Sequence, residues 1–208
     1  MKRVIPLFAM LVGCSSVSAE PKPGGETRTV SGFHAIDLAG TLEVEVKVGK
    51  PASVVVTGEA DLLDKVITTV KDGVLVIDTR PRLRNHNHLR AIVTVPDLTS
   101  LAISGTGAMN VTGIASERLA INLSGTGAVT AAGSTGALQL VVDGTGEVAA
   151  GALAAKAATV EVSGTGQATL QASQSLEAKI SGTGSIDVTG HPARVKKSVT
   201  GLGDIHIH

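Results

Sequence analysis

The sequence predicts an all-β protein: a short, single-chain β-solenoid of about 19 residues per rung, preceded by a small β-rich N-terminal unit. Three observations support this prediction. A Gly-Thr-Gly-type motif recurs six times, apolar residues occupy the same positions around each copy, and aromatic residues are nearly absent. Although 43% of the 208 residues are hydrophobic, two are Phe and none is Trp or Tyr. A core built from small aliphatic side chains is thin and layered, as in repeat β structures.

The motif sets the period of the repeat over residues 98–208. Most copies are Ser-Gly-Thr-Gly, whereas the third begins with Asp143 and the last with Thr200. Glycine permits the sharp corners at which neighbouring rungs approach each other. The first Gly of each copy stands at positions 105, 125, 144, 164, 182 and 201, so the intervals are 20, 19, 20, 18 and 19 residues.

Three columns of apolar residues accompany the motif. Their alternation with polar residues keeps the same phase in all six copies, which indicates strands stacked in register with the apolar side inward. The columns lie two residues before the first Gly (Ile103, Leu123, Val142, Val162, Ile180, Val199), four after it (Met109, Val129, Val148, Ala168, Ile186, Ile205) and six after it (Val111, Ala131, Ala150, Leu170, Val188, Ile207).

The N-terminal unit, residues 27–97, has the pattern of short alternating strands. Apolar and polar residues alternate in Thr41–Val48, which predicts a strand with one buried and one solvent-exposed face. Asp72-Gly73 is a turn sequence, and we expect it to join residues 66–70 and 74–78 as a hairpin. The unit is therefore predicted to be β-rich like the repeats.

The first 19 residues have the pattern of a secretory signal peptide. Met1–Arg3 is positively charged, and residues 4–13 form an apolar stretch that is too short to span a bilayer but suits export. Residues 20–26 contain Pro and Gly and are predicted to be a flexible linker. The sequence therefore predicts an exported protein.

Two processing sites compete at the end of this segment. Residues 11–14, Leu-Val-Gly-Cys, match the lipobox of bacterial lipoproteins, in which Cys14 becomes the lipidated first residue. Cleavage after Ala19 is the alternative, since Val17 and Ala19 fill the small-residue positions of an ordinary signal peptide. We favour the lipobox because Cys14 is the only cysteine and stands where the lipobox requires it. A single cysteine also leaves no internal disulfide.

No arrangement typical of an enzyme is evident. A carbohydrate-cleaving β-helix, the enzyme alternative, needs carboxylates close together on one outward face and aromatic platforms for sugar rings. The predicted outward column instead contains Asn110, Thr130, Ala149, Thr169 and Asp187. A phosphate-binding Gly loop would occur once, between a strand and a helix, and not six times. We therefore expect no enzyme activity, no catalytic residues and no cofactor.

Two histidine pairs are the only candidate metal ligands. His86 and His88 lie in an Arg-rich stretch, and His206 and His208 lie on one face of the last predicted strand. Two histidines without carboxylate or thiolate support form a weak, exchangeable site, so we assign no metal. The loop arginines could contact phosphate or lipid headgroups, but a solvated loop is the simpler interpretation. Because 18 basic residues balance 18 acidic ones, we expect no nucleic-acid partner.

The chain also resembles a known family, the putative auto-transporter adhesins with a head GIN domain. The resemblance covers about residues 30–207. It rests on Phe33–Leu38, the Leu42–Val48 strand, Gly58–Leu63, Asp72–Ile77 and the Ser-Gly-Thr-Gly rungs. It implies an exported, β-helical protein associated with the surface of a Gram-negative bacterium. Together with the two candidate processing sites, this predicts either an outer-membrane lipoprotein or a periplasmic protein. It implies no catalytic residues.

These observations predict a lipid-anchored, non-enzymatic protein of the cell envelope that acts as an adhesin by surface contact with an unidentified ligand. The runner-up is a periplasmic accessory or structural protein without a role in adhesion. The sequence ends within a predicted strand, 204–208, whose edge has nothing to cover it. Two states are open: a monomer capped by its own last strand, and a weak homodimer through the C-terminal rung, since exposed strand edges invite pairing.

Overall fold

The computed structural model of the protein describes residues 23–80 and 89–208. Within these residues it contains fifteen β-strands and one short 3₁₀ turn, Leu63–Lys65. The predicted all-β solenoid is confirmed. The strands are β1 (Pro23–Arg28), β2 (Ala35–Leu38), β3 (Thr41–Val48), β4 (Ser53–Glu59), β5 (Val66–Lys71), β6 (Val74–Thr79), β7 (Arg90–Val95), β8 (Ser100–Ile103), β9 (Thr106–Leu123), β10 (Thr126–Val142), β11 (Thr145–Val162), β12 (Thr165–Ile180), β13 (Ser185–Thr189), β14 (Arg194–Val199) and β15 (Asp204–Ile207).

The strands form two rows along the solenoid. Row A consists, in spatial order, of β5, β6, β2, β8, the C-terminal halves of β9 to β12, and β14. Row B consists of β1, β4, β7, β3, the N-terminal halves of β9 to β12, β13 and β15. All neighbours within a row are parallel except at the N-terminal end, where β5–β6, β1–β4 and β4–β7 are antiparallel.

The N-terminal unit continues both rows and shares the core of the repeats. Strands β2 and β3 form one rung, and β6 and β7 form another. The β2–β3 rung lies between the β6–β7 rung and the first repeat, because β2 pairs with both β6 and β8 while β3 pairs with both β7 and β9. The spatial order of these rungs therefore differs from their order in the chain.

The repeats stack in the register that the columns predict. Thr126 pairs with Thr106 in β9 and with Thr145 in β11, so each motif lies directly on its neighbours. The three predicted inward columns are buried in every rung except the last, where Val199 is 47% exposed and Ile205 and Ile207 are partly exposed. One continuous aliphatic core therefore runs from the N-terminal unit to the C-terminal rung.

The motif glycines are required by the close contact between rungs. A Cβ atom at Gly125 would lie 1.9 Å from the carbonyl oxygen of Gly105, and one at Gly127 would lie 1.8 Å from that of Gly107. Gly127 also has a φ of 155°. The backbone itself fills the space at this corner, so a side chain at either position would displace the adjacent rung.

Each repeat between two motifs is a single strand of 16 to 18 residues that bends at a second corner. In β9 and β10 the bend falls at Gly113 and Gly133, which have φ values of 79° and 138°. The pairing of β10 with each neighbour shifts by one residue at this bend. Beyond it, residues 114–117 and their equivalents form a third side that joins row B to row A.

The hairpin of the N-terminal unit matches the sequence prediction. Strands β5 and β6 are antiparallel, and the turn residues Asp72 and Gly73 have φ values of 52° and 76°. The short 3₁₀ turn Leu63–Lys65 precedes β5.

The predicted linker is wrong for Pro23–Glu26. These residues belong to β1, which pairs antiparallel with β4 at the outer edge of row B. An edge strand tolerates Pro and Gly because one of its sides needs no backbone donors. Gly24 also allows close packing, since a Cβ atom there would lie 3.0 Å from Leu63 Cδ1. Arg28 fixes the end of the strand, donating from Nη2 to the carbonyl of Leu63 at 2.5 Å.

Candidate functional site

In the repeats, the outward surface of the row B strands from β9 to β13 is weakly charged, and we call it face B. Its central column is Asn110, Thr130, Ala149, Thr169 and Asp187, which pair across β9 to β13. The predicted outward column is confirmed: these residues are exposed or half-exposed, while the adjacent column beginning with Met109 and Val129 is buried. Because neighbouring strands lie about 4.8 Å apart, face B presents a regular array of small polar groups.

A second column on face B has the same character. It contains one charged residue, Glu147, among small or neutral neighbours, and its members are Ala108, Ala128, Glu147, Gln167 and Ser185. At the C-terminal end, Gln167 donates from Nε2 to Asp187 Oδ2 at 3.2 Å. Face B therefore presents hydrogen-bonding groups over several rungs. Few of its residues are charged, so few of them bind surface water strongly.

The outward surface of row A, face A, is more strongly charged. Lys179 donates to Glu161 Oε1 at 2.6 Å, and Lys196 donates to Glu177 Oε1 at 2.5 Å. The hydrogen bond that Lys179 donates to Glu161, together with the negative charge of Glu161, raises the pKa of Lys179. Arg118 lies on the same face nearer the N-terminal end. These pairs are exposed, so they contribute little to stability but keep face A hydrated.

The third side carries a shallow open groove of about 510 Å³. Small side chains form its floor, and Glu117 and Lys156 stand among its lining residues. The buried hydroxyl of Thr135 accepts from Ser116 at 3.3 Å and donates to the carbonyl of Ala137 at 3.3 Å. The hydroxyl groups of Ser116 and Thr135 are thus used in hydrogen bonds within and between rungs.

The junction between the N-terminal unit and the repeats carries a cluster of charged residues. Arg90 donates to Glu43 at 3.0 Å and lies 4.0 Å from Glu45, and Lys47 lies 3.0 Å from Glu45. Arg90 belongs to the Arg-rich stretch that we considered for binding phosphate. Its guanidinium is instead engaged by two carboxylates. Arg80, which also belongs to that stretch, is exposed, and Arg82, Arg84, His86 and His88 lie outside the described residues.

The C-terminal histidines lie together as predicted. His206 and His208 extend outward from β15 with their rings stacked at a centroid distance of 6.4 Å. His206 pairs in register with Asp187 of β13. Among residues 23–80 and 89–208, no group of three or more His, Cys, Asp or Glu side chains is arranged to hold a metal ion.

The sequence analysis did not identify two sets of side-chain contacts between rungs. The ion pairs Glu161–Lys179 and Glu177–Lys196 join residues 18 and 19 positions apart, which is one period of the repeat. At the motif corner, Ser104 donates to Asp37 at 2.8 Å, and Ser163 donates to Asp143. For all of these pairs except Ser104–Asp37, the sequence signal was two complementary polar residues separated by one period, which is the solenoid equivalent of a cross-strand pair.

These features define the class of protein: a parallel β-solenoid whose outer surfaces are broad and shallow. The family model "Putative auto-transporter adhesin, head GIN domain" matches residues 32–192. The chain belongs to this family, as its sequence resemblance predicted. Membership of an adhesin-like family suggests a surface or exported protein. In the part of the chain that the structure describes, no helix has the length and apolar character needed to cross a membrane.

Three solved structures illustrate the fold that this chain shares with other proteins. A putative adhesin from Bacteroides fragilis has 23% sequence identity and a TM-score of 0.75, and the match covers 91% of this chain and 98% of that one. A putative adhesin from Parabacteroides merdae has 18% identity and a TM-score of 0.53, covering 90% and 96%. A putative lipid binding protein from Parabacteroides distasonis has 22% identity and a TM-score of 0.50, covering 89% and 96%. At these identities the likeness shows the fold.

None of the curated proteins compared with the chain matches it. The names of the family and of the three solved relatives refer to adhesion or binding and not to catalysis.

Proposed function

We propose that this protein is an exported, lipid-anchored, non-enzymatic component of the bacterial cell envelope, which acts as an adhesin through face B. The observation that carries the proposal is the flat array of small polar side chains between Asn110 and Thr169, backed by a rigid aliphatic core. A flat surface without a deep cleft suits contact with another extended surface, because enclosed pockets are what small ligands require.

Face B is favoured over face A because of their charge difference. Contact with a partner requires removal of surface water, and exposed ion pairs such as Glu161–Lys179 hold water strongly. The central column of face B has no charged residue between Asn110 and Thr169. Thr and Asn side chains can replace their hydrogen bonds to water with hydrogen bonds to a partner, with little net change in free energy.

Attachment of cells tests the proposed role directly. We expect that deleting the gene lowers attachment to surfaces, and that the wild-type gene restores it. The double variant Thr130→Glu/Thr169→Glu, which places two charges on face B without touching the core, should fail to restore attachment. The measurement is the fraction of cells retained under flow, with thermal melts of the purified chain to establish that the variant is folded.

The matched control is Gln139→Glu/Thr159→Glu, which adds the same charge to exposed positions on face A. This variant should restore attachment like the wild type. If the face B variant restores attachment fully while folded, the proposal for face B is wrong. If deletion leaves attachment intact but provokes envelope stress, the accessory role in the periplasm replaces adhesion.

The anchor is proposed from the sequence of residues 11–14, which lie outside the described residues. We expect Cys14→Ala to abolish incorporation of labelled fatty acid and to release the protein from the membrane fraction in soluble form. Labelling followed by fractionation measures both effects. A native N-terminus at Glu20, found by mass spectrometry of the wild-type protein, would show cleavage after Ala19 instead and contradict the anchor.

A further inference from the structure

Two shallow cavities lie side by side on face A. One, of about 430 Å³, is lined mainly by residues of β9, β10 and β11, and the other, of about 260 Å³, by residues of β11, β12 and β14. Thr159 of β11 lines both of them. The cavities therefore form one open groove that crosses five strands of row A, and we call it the face A groove.

One outward column of row A runs along the face A groove. Its members pair in register across neighbouring strands and are Arg118, Ala137, Ala157, Ser175 and Arg194. Because neighbouring strands lie about 4.8 Å apart, the backbones of the two arginines are about 19 Å apart along the solenoid. The column therefore places two cations in line, with only small side chains between them.

The face A groove has a positive charge that its own residues do not neutralise. Four of its lining residues are charged, and the single carboxylate among them, that of Glu177, accepts a hydrogen bond from Lys196 at 2.5 Å. In the part of the chain that the structure describes, neither Arg118 nor Arg194 forms an ion pair. An anionic partner is therefore complementary to the groove.

We propose that the face A groove binds a linear acidic polysaccharide, that is, a chain of sugars that bear carboxylate groups. A guanidinium binds a carboxylate through two parallel hydrogen bonds, so Arg118 and Arg194 each hold one carboxylate of the chain. Between them, Gln139, Thr159 and Ser175 present amide and hydroxyl groups to the sugar hydroxyls. The site is separate from face B and does not rest on the function proposed for that face.

Three features favour a polysaccharide over other anionic partners. The backbone groups of β9 to β12 are paired within row A, so an acidic peptide finds no strand edge to extend in the groove. Residues 98–208 contain no Phe, Trp or Tyr on which nucleic-acid bases could stack. Anionic membranes are bound by clusters of about four to eight basic residues, whereas three basic residues line the groove and one of these is already paired.

The lack of aromatic rings also restricts the kind of polysaccharide. A neutral chain would depend on hydrogen bonds that merely replace those it makes with water. The charge-assisted hydrogen bonds of the two arginines are stronger. Affinity should therefore depend on the carboxylates of the ligand.

Titration calorimetry of the full chain carrying Cys14→Ala tests the proposal. The ligands are oligogalacturonate and oligomannuronate, two linear chains of uronic acids, and we expect at least one to bind with a dissociation constant on the order of 0.1 mM. Its methyl ester, which has the same backbone without the charges, should not bind. Binding of the acidic form should weaken at about 1 M salt, where the screening length is about 3 Å.

Variants of the two arginines locate the site. Arg118→Gln/Arg194→Gln should raise the dissociation constant about tenfold or more. Arg118→Lys/Arg194→Lys keeps the charges but loses the paired hydrogen bonds, so it should raise the constant less. The matched control is Lys50→Gln/Lys71→Gln, which removes the same charge from exposed positions of the N-terminal unit and should leave binding unaltered. Thermal melts establish that each variant is folded.

The variant Gln139→Glu/Thr159→Glu separates this site from face B. It places two negative charges in the groove, so it should abolish binding of the oligosaccharide while still restoring attachment to a surface that carries no acidic polysaccharide. The proposal is overturned if neither oligosaccharide binds at about 1 mM, or if the folded Arg118→Gln/Arg194→Gln protein binds as well as its parent. It is also overturned if anionic vesicles or single-stranded DNA bind more tightly than the oligosaccharides. None of these results would contradict attachment through face B.

Discussion

Ile180→Asp and Val142→Asp are each expected to unfold the solenoid. Both side chains are fully buried in the column that lies two residues before the motif Gly. An aspartate there is surrounded by aliphatic side chains. Because the inward Lys197 pairs with Ala178, two residues from Ile180, Val142→Asp is the more stringent of the two tests. A buried, unpaired charge destabilises a fold by several kcal/mol, which is comparable with the whole free energy of unfolding of a small domain.

Thermal and urea melts of the full chain with Cys14→Ala measure this effect. Thr130→Asp is the matched control, since it introduces the same side chain on face B, where Thr130 is exposed and lies next to buried Val129. It should change the free energy of unfolding by less than about 0.5 kcal/mol. Equal tolerance at all three positions would contradict the assignment of inward and outward columns.

Gly127→Ala is expected to have the second largest effect. The added Cβ would lie 1.8 Å from the carbonyl oxygen of Gly107, a backbone atom that cannot rotate away, and the φ of 155° is unfavourable for alanine. Separating the rungs at this corner would also weaken the neighbouring backbone hydrogen bond from Thr126 to Gly105, now 3.0 Å. We expect a loss of about 3 kcal/mol or more in the free energy of unfolding.

Gly151→Ala provides the comparison within the same repeat array. Its Cβ would lie 3.5 Å from Thr169 Cγ2, an ordinary van der Waals contact, and its φ is not in the left-handed region. Because alanine restricts the unfolded chain more than glycine does, this substitution should be neutral or stabilise by up to about 1 kcal/mol. Similar melting temperatures for the two variants would show that the corners do not require glycine.

The sequence was sufficient to predict the repeats because the same alternation of apolar and polar residues occurs in every rung. If a residue of one rung were assigned to the wrong face, the assignment would conflict with the five other copies. The inward orientation of Val142 or Ile180 is therefore supported by several rungs. The outward column from Asn110 to Thr169 follows from the same alternation. The face that carries the candidate site could therefore be predicted residue by residue.

The arrangement of the N-terminal unit could not be predicted in the same way. Strands β2 and β6 have suitable apolar alternation, but nothing in their sequences specifies that β2 pairs with β6 on one side and β8 on the other. The Pro-Gly-Gly segment at residues 23–25 has the composition of a linker, and its role in β1 depends on the free edge of β4. Both features arise from contacts between distant residues, which local patterns do not encode.

The position of the β2–β3 rung has a consequence for the order in which the protein folds. Residues 35–48 are synthesised before residues 74–95 and 100–111, yet they are placed between those two segments. Both edges of this rung therefore remain unpaired until more than half of the chain has been synthesised. Each later rung can add to an existing one as it appears. The slow and aggregation-sensitive stage of folding is thus concentrated at the N-terminal end, where pairing between distant segments must come first.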